Sequence, residues 1–435
     1  MNPCLSDYRR KLTTPEKAVE SIPDGATLIY GLVMAEPPAL LAAIAKRLRS
    51  GDLNRLKVCS LLPQKYACET VLALDLCDQV EAYSWFVSGR ERGLVRAGLN
   101  YFVPSHFHQI PRLVSEFMEL DATVTTVSPM DKSGYFSFGT SNDFTSTAAR
   151  KAKRLIIEVN ENMPRVFGDS LLHISEVDAI IENHVPLLEI PPASPKPEDE
   201  PIGRTIAEMV PDGATIQLGL GGLPNAVAAY LKNHKNLGIH TELFVPGMVD
   251  LIRNGIVTGA KKTIHPMKHV FTAALGDKTM LDFMDNNPAM EGYPVSYTNH
   301  PSVIAKNDNM ISVNSILQVD LLGQCNAEFL AGYQFSGTGG QLDYVRGAFD
   351  SKGGKSILAF HATAKKGEIS RIVPRFEEGA MITTPRMDTH FLVTEFGVAN
   401  LKGKSTRERA LSIIELAHPK FRDGLLREAE NMYFI

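Results

Sequence analysis

The stretch Gln217-Leu218-Gly219-Leu220-Gly221-Gly222-Leu223-Pro224-Asn225 decides the fold that this sequence predicts. It starts as an apolar strand, turns through glycines and opens a helix at Pro224, followed by the Ala/Leu-rich segment 226–231. Such a turn directs backbone N–H groups and a helix N-terminus toward the space above it. The sequence therefore predicts a site for an anion, either a phosphate or an oxyanion that forms during a reaction.

A second stretch, Leu237-Gly238-Ile239-His240-Thr241-Glu242-Leu243, carries one carboxylate in a short apolar strand. A charge in such a strand is costly unless it is paired or used. Taken alone, Glu242 would be interpreted as a strand-end carboxylate paired with a lysine. Taken alone, the glycine turn would be interpreted as a tight turn for helix–strand packing, because this turn lacks the full GxGxxG pattern. The two stretches together favour Glu242 as a nucleophile whose developing charge is held by amides at Gly221 and Gly222.

The pattern of turn, strand and glycine occurs twice in the chain. Ile22-Pro23-Asp24-Gly25-Ala26-Thr27-Leu28-Ile29-Tyr30-Gly31 matches Val210-Pro211-Asp212-Gly213-Ala214-Thr215-Ile216-Gln217-Leu218-Gly219. A second echo links Thr125 to Gly134 with Ser312 to Gly323. Because short apolar strands alternate with helices in each half, we predict an α/β fold of two similar domains with mostly parallel sheets, related by internal duplication.

The length of 435 residues exceeds one ordinary hydrophobic core and indicates two domains. Between the halves, Ile190 to Pro201 is rich in proline and charge, which is typical of an extended linker. We predict an N-terminal domain at 1–189, a Pro-rich linker at 190–201 and a C-terminal domain at 202–435 that carries the Glu242 site.

Composition excludes several classes of function. Hydrophobic residues make up 44% of the chain and charged residues 22%, and the net charge of −4 gives no basic field for nucleic acid. No apolar run reaches the roughly 20 residues that cross a bilayer, and the N-terminus lacks the regions of a signal peptide. Five scattered cysteines without CxxC spacing fit a reducing cytoplasm and predict no metal site. His106 and His108 suggest either a metal pair or a loop, and we favour the loop.

With these motifs in hand, the chain resembles the acetyl-CoA hydrolase/transferase family of CoA-transferases, close to its 4-hydroxybutyrate and butyryl-CoA:acetate types. The resemblance runs almost end to end. It is most specific in four stretches: Gly219–Pro224, His240–Glu242, Ser336–Tyr344 and Thr394–Ala399. One departure is Leu32, where some 4-hydroxybutyrate enzymes carry histidine.

The resemblance implies roles for residues of two kinds. The catalytic residues are Glu242, Gly221, Gly222 and Asn299. The residues that bind CoA are Gly219, Leu220, Gly221, Gly222, Leu223, Ser336, Gly340 and Lys365. Glu395 is left open as a buried structural group or an active-site neighbour, and Glu36 as a residue that faces the site.

The resemblance also implies an enzyme that moves CoA between short-chain acids such as acetate, butyrate and 4-hydroxybutyrate. The reaction would be ping-pong, through a glutamyl-CoA thioester on Glu242. No cofactor is bound permanently, acyl-CoA and the acids are substrates, and a cytoplasmic homo-oligomer is expected. The alternatives are an acyl-CoA hydrolase and, less favoured, a non-catalytic module that senses CoA or a sugar phosphate.

Overall fold

Short strands alternate with helices along the computed structural model, which describes residues 3–191, 193–219 and 221–435. The α-helices are α1 Pro3–Lys11, α2 Pro15–Val19, α3 Pro38–Ser50, α4 Lys65–Glu69, α5 Arg92–Arg96, α6 Ile110–Glu116, α7 Thr145–Lys151, α8 Asp199–Met209, α9 Gly222–Tyr230, α10 Pro246–Arg253, α11 Lys278–Met284, α12 Val295–Thr298, α13 Pro301–Ile304, α14 Gln341–Asp350, α15 Thr406–Glu415 and α16 Pro419–Asn431.

The strands are mostly three to seven residues long. They are β1 Ala26–Tyr30, β2 Leu56–Ser60, β3 Val80–Ser84, β4 Asn100–Phe102, β5 Ala122–Val127, β6 Tyr135–Ser137, β7 Arg154–Val159, β8 Phe167–Gly168, β9 Leu171–His173, β10 Ala179–Glu182, β11 Thr215–Leu218, β12 Gly238–Phe244, β13 His269–Ala274, β14 Met290–Gly292, β15 Met310–Ser315, β16 Gln318–Asp320, β17 Cys325–Asn326, β18 Phe329–Leu330, β19 Tyr333–Gln334, β20 Lys355–Ala359, β21 Thr363–Ala364, β22 Ile369–Ser370, β23 Ile372–Val373, β24 Phe391–Thr394 and β25 Gly397–Asn400.

The chain forms two compact units, the first comprising Met1–Pro191 and Val270–Thr298 and the second Pro192–His269 and Asn299–Ile435. The main sheet of the first unit is entirely parallel and has the order β10-β7-β5-β1-β2-β3-β4. Its central strands β5, β1 and β2 are buried along almost their whole length, as expected for a sheet that is covered on both faces. Helix α3 buries Leu40, Leu41, Ile44 and Leu48, which recur at helical spacing and form one apolar face.

In the second unit the strands follow the order β25-β24-β20-β15-β11-β12. All neighbours in this row are parallel except the hairpin of β24 and β25. Strand β11 lies between β12 and β15, just as β1 lies between β2 and β5 in the first unit. The predicted α/β class with mostly parallel sheets is confirmed.

The duplicated turns adopt the same conformation in each unit. Gly25 and Gly213 both have a left-handed backbone, with φ of 73° and 77°. The carboxylate before each glycine accepts backbone N–H groups: Asp24 from Asn54 and Arg55, and Asp212 from Lys235. These shared hydrogen bonds explain why the Pro-Asp-Gly motif recurs before each central strand.

The second echo is also structural. Oδ1 of Asp131 accepts the N–H groups of residues 133 and 135, and Oδ1 of Asp320 accepts those of residues 322 and 324. Each aspartate therefore closes the same kind of turn after the strand that pairs with β1 or β11.

Two features of the structure bear on the predicted domain limits. Residues 270–298, assigned by the sequence prediction to a contiguous C-terminal domain, belong to the first unit, where the N–H groups of Asn142 and Asp143 donate to the Thr272 carbonyl. Helix α8 starts at Asp199, inside the predicted linker at 190–201. Pro201 does not prevent this, because it falls in the first turn of the helix, where proline is tolerated. The predicted domain limits themselves stay a prediction.

Candidate active site

Glu242 lies near the carboxyl end of β12, next to the strand that leads into the glycine turn. Thr215 pairs with Gly238 and Ile216 with Ile239. Continuing this register by three residues brings Gly219 opposite Glu242. Carboxyl ends of neighbouring parallel strands form one edge of a sheet, where ligands of open α/β folds bind.

The carboxyl group of Glu242 is held by two groups from distant parts of the chain. Nδ2 of Asn299, which is fully buried, donates to Oε2 at 2.6 Å. Gly340 lies so close that a Cβ atom there would overlap Oε2 of Glu242 and Nδ2 of Asn299. Gly340 is the N-cap of α14, so its backbone N–H also faces the carboxylate. A side chain fits this position only if the ends of Glu242 and Asn299 move away.

Burial raises the pKa of Glu242 from its usual 4.5 to about 7. The hydrogen bonds from Asn299 and Gly340 act in the opposite direction, while the charge of Asp343 raises the pKa further. Asp343 is itself buried, in the first turn of α14. Although part of the Glu242 residue remains accessible, its carboxyl group is enclosed, so near neutral pH it exists in both the protonated and the ionised form.

The first glycine turn is fixed by contacts with the sheet and with helix α8. The N–H of Gly219 donates to the Val313 carbonyl at 3.0 Å, so this amide belongs to the sheet. Gly221 has a φ of 122° and is the N-cap of α9. Gly222 packs against Asp199, whose Oδ2 would lie 3.0 Å from a Cβ at this position. Within the described residues, no hydrogen bond joins Glu242 to this turn, and Leu220 lies outside that part of the chain.

The turn instead lines a cavity of about 310 Å³ in the second unit. Gly221, Gly222 and Leu223 form one wall, and Ile316 and Phe360 contribute to the others. These glycines are therefore available to a ligand in this cavity, as expected for residues that bind part of a substrate.

Of the predicted CoA-binding residues in the C-terminal half, Gly340 contacts Glu242, whereas Ser336 and Lys365 lie in other loops. Ser336 donates its hydroxyl to the Ala327 carbonyl and its N–H to the Glu328 carbonyl, which fixes the loop before Gly340. Lys365 is exposed, in the turn between β21 and β22, with a φ of 47°. The structure thus brings Glu242, Asn299 and Gly340 together, with Ser336 four residues away along the chain and Lys365 in a separate hairpin.

The residues that the sequence left open have local partners. Both carboxylate oxygens of Glu395 accept the Ala362 N–H, at 3.2 and 2.9 Å. In the first unit, Glu36 accepts the N–H groups of residues 64, 66 and 67, and burial raises its pKa to about 7. His106 and His108 stack with ring centroids 5.9 Å apart. Each of these groups has a structural explanation.

Two further observations concern metal sites and membrane-spanning helices in the described residues. No cluster of three or more His, Cys, Asp or Glu side chains suited to a metal ion occurs among them. None of the helices in the described part of the chain has the length and apolar character needed to span a bilayer.

Sequence reasoning missed three groups near these elements: Asp343, the pair formed by Asp199 and His361, and Arg371. Asp343 carried a usable signal, because it is a carboxylate between Leu342 and Tyr344, like Glu242 in its strand. The others gave none, since their burial depends on contacts between distant segments.

Comparison with known proteins identifies the family. Residues 3–189 match the N-terminal domain of the acetyl-CoA hydrolase/transferases and residues 276–429 their C-terminal domain. The 4-hydroxybutyrate coenzyme A transferase of Clostridium kluyveri is 43% identical, over 98% of this chain and 99% of the relative. The chain belongs to the acetyl-CoA hydrolase/transferase family. Butyryl-CoA:acetate CoA-transferase of Anaerostipes caccae is 37% identical, over 98% and 97% of the two chains.

Solved structures agree with this acetyl-CoA hydrolase/transferase assignment. RipA from Yersinia pestis superposes with a TM-score of 0.96 at 51% identity, covering 99% of this chain and 100% of that one. A 4-hydroxybutyrate CoA-transferase from Porphyromonas gingivalis gives 0.83 at 37% identity, covering 98% and 99%. The predicted family is confirmed, and so is the CoA-transferase class that it implies.

Proposed function

We propose that this chain transfers CoA between short-chain carboxylic acids through a covalent intermediate on Glu242. The observation that carries the proposal is the enclosed Glu242 carboxyl, which contacts Asn299 Nδ2 and the α14 N-terminus and has a pKa of about 7. Full-length relatives that act on butyrate, acetate and 4-hydroxybutyrate support short-chain acids as substrates.

In the first half-reaction, a Glu242 oxygen attacks the thioester carbonyl carbon and the CoA thiolate leaves, which forms an acyl-glutamyl anhydride. The thiolate then attacks the glutamyl carbonyl carbon. The acyl group departs as a free carboxylate, and Glu242 is left as a CoA thioester. A second carboxylate attacks this thioester and receives CoA by the same steps in reverse. No water is consumed, and no net proton is taken up or released.

Asn299 and the Gly340 N–H are the donors that stabilise the oxyanions formed at the glutamyl carbonyl. Both contact the glutamate side of the reaction, so they act when the thiolate adds to Glu242. Removal of one such donor typically costs about a hundred- to a thousandfold in rate.

The test is to trap the intermediate. Wild-type protein incubated with acetyl-CoA gains the mass of CoA less water, and hydroxylamine or borohydride removes it. Glu242→Ala gives neither the adduct nor turnover. If Glu242→Ala retains full activity, the proposal is wrong. Addition of butyrate distinguishes the hydrolase alternative, since a transferase makes butyryl-CoA while a hydrolase releases free thiol regardless.

Acyl-CoA is a substrate in this proposal and not a resident cofactor. The homo-oligomer, the cytoplasmic location and the domain limits stay predictions. Analytical ultracentrifugation measures the first of these directly.

A further inference from the structure

The cavity beside the first glycine turn contains a basic group that nothing in the proposed mechanism uses. Arg371 lines it, together with the turn at 221–224, Asp199 and His361. The backbone of Arg371 is fixed on both sides, because its N–H donates to the Ala362 carbonyl and its carbonyl accepts from Val319. The guanidinium therefore projects from a rigid position.

The Arg371 guanidinium is partly buried and lacks a close partner. Among residues 3–191, 193–219 and 221–435, none accepts a hydrogen bond from it. Burial lowers the pKa of Arg371, and the charge of Glu395 offsets this effect in part. The oxygens of Glu395 already accept the Ala362 N–H. A partly buried cation without a hydrogen-bonded counter-ion is costly, so the position favours an anionic ligand.

The other ionisable pair on the cavity wall is internally matched. Nε2 of His361 lies 2.8 Å from Oδ1 of Asp199, which is 3% exposed, and Oδ2 accepts the Lys196 N–H at 2.7 Å. Asp199 is thus engaged through both oxygens and fixes the orientation of the imidazole. Two cations also line this cavity: Lys196, which is exposed, and Arg371, which is partly buried and therefore gains more from an anionic partner.

The order of strands sets the separation between Glu242 and the side of this cavity formed by Phe360 and His361. Strands β12, β11, β15 and β20 are successive neighbours, and the cavity residues Phe360 and His361 directly follow β20. Three strand spacings correspond to about 14 Å along the sheet edge. An extended pantetheine arm covers a comparable distance between the sulfur and the diphosphate of CoA.

We propose that Arg371 binds the diphosphate of CoA in the cavity beside the first glycine turn. His361, with Nε2 held by Asp199, is a second donor through Nδ1–H in its imidazolium form. Guanidinium groups pair with phosphate oxygens through two parallel N–H donors, and the N-terminus of α9 faces the same space. The assignment rests on the proposed function, because it takes CoA as the substrate.

The test combines a protein variant with a truncated substrate. Arg371→Gln is assayed with acetyl-CoA and with acetyl-pantetheine, which has the same thioester but no phosphate. We expect kcat/KM for acetyl-CoA to fall about 10- to 100-fold, mainly through KM, because a charge-assisted hydrogen bond is lost. The value for acetyl-pantetheine stays within twofold of wild type. Arg371→Lys, which keeps the charge but not the paired donors, gives an intermediate loss.

Arg375→Gln is the matched control, since it removes an exposed arginine four residues along the chain, and we expect both substrates to be unaffected. Equal losses for acetyl-CoA and acetyl-pantetheine, or a change confined to the KM of the acceptor acid, would overturn the assignment. So would an unchanged Arg371→Gln. Circular dichroism identifies a misfolded variant, in which case Arg371→Lys alone decides by the same comparison.

Failure of this assignment is distinct from failure of the proposed function. CoA binding is measured by calorimetry in Glu242→Ala, with and without Arg371→Gln. Weaker binding of CoA, but not of pantetheine, supports the Arg371 site even if no adduct forms on Glu242. Conversely, if the adduct forms on Glu242 and CoA binds equally well with and without Arg371→Gln, the assignment of Arg371 is wrong and the proposed function stands.

Discussion

Gly340→Ala gives a direct test of the contact between the α14 N-terminus and Glu242. The added Cβ would occupy the space of Glu242 Oε2 and Asn299 Nδ2. Both atoms end side chains, so the clash is relieved when they move away by about 1 Å or more. Displacements of this size in a reacting group cost on the order of 10²-fold in rate.

The same substitution has a small effect on folding. Gly340 has φ of −94° and ψ of 10°, which alanine adopts without left-handed strain. The loss of glycine at an N-cap lowers the free energy of unfolding by about 1 kcal/mol or less. We therefore expect kcat to fall by about 100-fold in a protein that remains folded.

The assay is steady-state exchange between acetyl-CoA and butyrate, with thermal unfolding measured on the same samples. Gly424→Ala is the control, because Gly424 lies in helix α16 with nothing within 4 Å of the added methyl. A Gly340→Ala variant that keeps more than half of the wild-type kcat would refute the close approach described here.

Three further changes give distinct readouts. Asn299→Ala removes the hydrogen-bond donor to Glu242, and kcat falls about 10²- to 10³-fold. The acid limb of the pH profile of kcat/KM, which is expected near pH 7 in wild type, moves to higher pH, because Asn299 lowers the pKa of Glu242. Glu242→Gln stabilises the protein above pH 7. Folding raises the pKa of Glu242 from 4.5 to about 7, so ionisation of this carboxyl between those values destabilises the native state, by at most about 3 kcal/mol. Chemical denaturation should therefore show a higher free energy of unfolding for Glu242→Gln at pH 8 and no difference from wild type at pH 4. Ser405→Ala breaks the capping box with Glu408 and lowers stability by about 1 kcal/mol in the same assay without changing kcat.

How far the sequence predicts this site depends on the distance over which each contact acts. Glu242 is identifiable from the sequence because a charge in an apolar strand is unusual. Its position next to the glycine turn follows because the turn and Glu242 lie at the ends of two successive strands, which pair in parallel. The hydrogen bond from Gly219 to Val313 was not identifiable, since it joins segments nearly a hundred residues apart and pattern analysis does not pair them.

Gly340 illustrates the same limit. The resemblance assigned it to CoA binding, and the structure places it against the Glu242 carboxyl. A glycine at a left-handed turn is typical of many loops, but Gly340 has an ordinary backbone conformation. Its requirement for glycine comes from close approach to Glu242 and Asn299, which only the tertiary structure reveals. Arg371 was missed for a similar reason, because burial of a long side chain has no local sequence signal.

The fold was easier to predict, because the same Pro-Asp-Gly motif stands before the central strand of each unit and makes the same kind of hydrogen bond to the segment that precedes the neighbouring strand. Asp24 and Asp212 each fix the start of a central strand, and the parallel sheet grows on both sides of it. The excursion at 270–298 could not be read in this way, since its partners at 140 and 142–143 share no motif with it.

That excursion has a consequence for synthesis on the ribosome. The N–H groups of Asn142 and Asp143 need the carbonyl of Thr272, which emerges about 130 residues later in the chain. The first unit can therefore close only after residues 192–269 of the second unit have been translated. A chain truncated after residue 191 would leave these amides without their native acceptor, so the two halves cannot be obtained by a single cut in the gene.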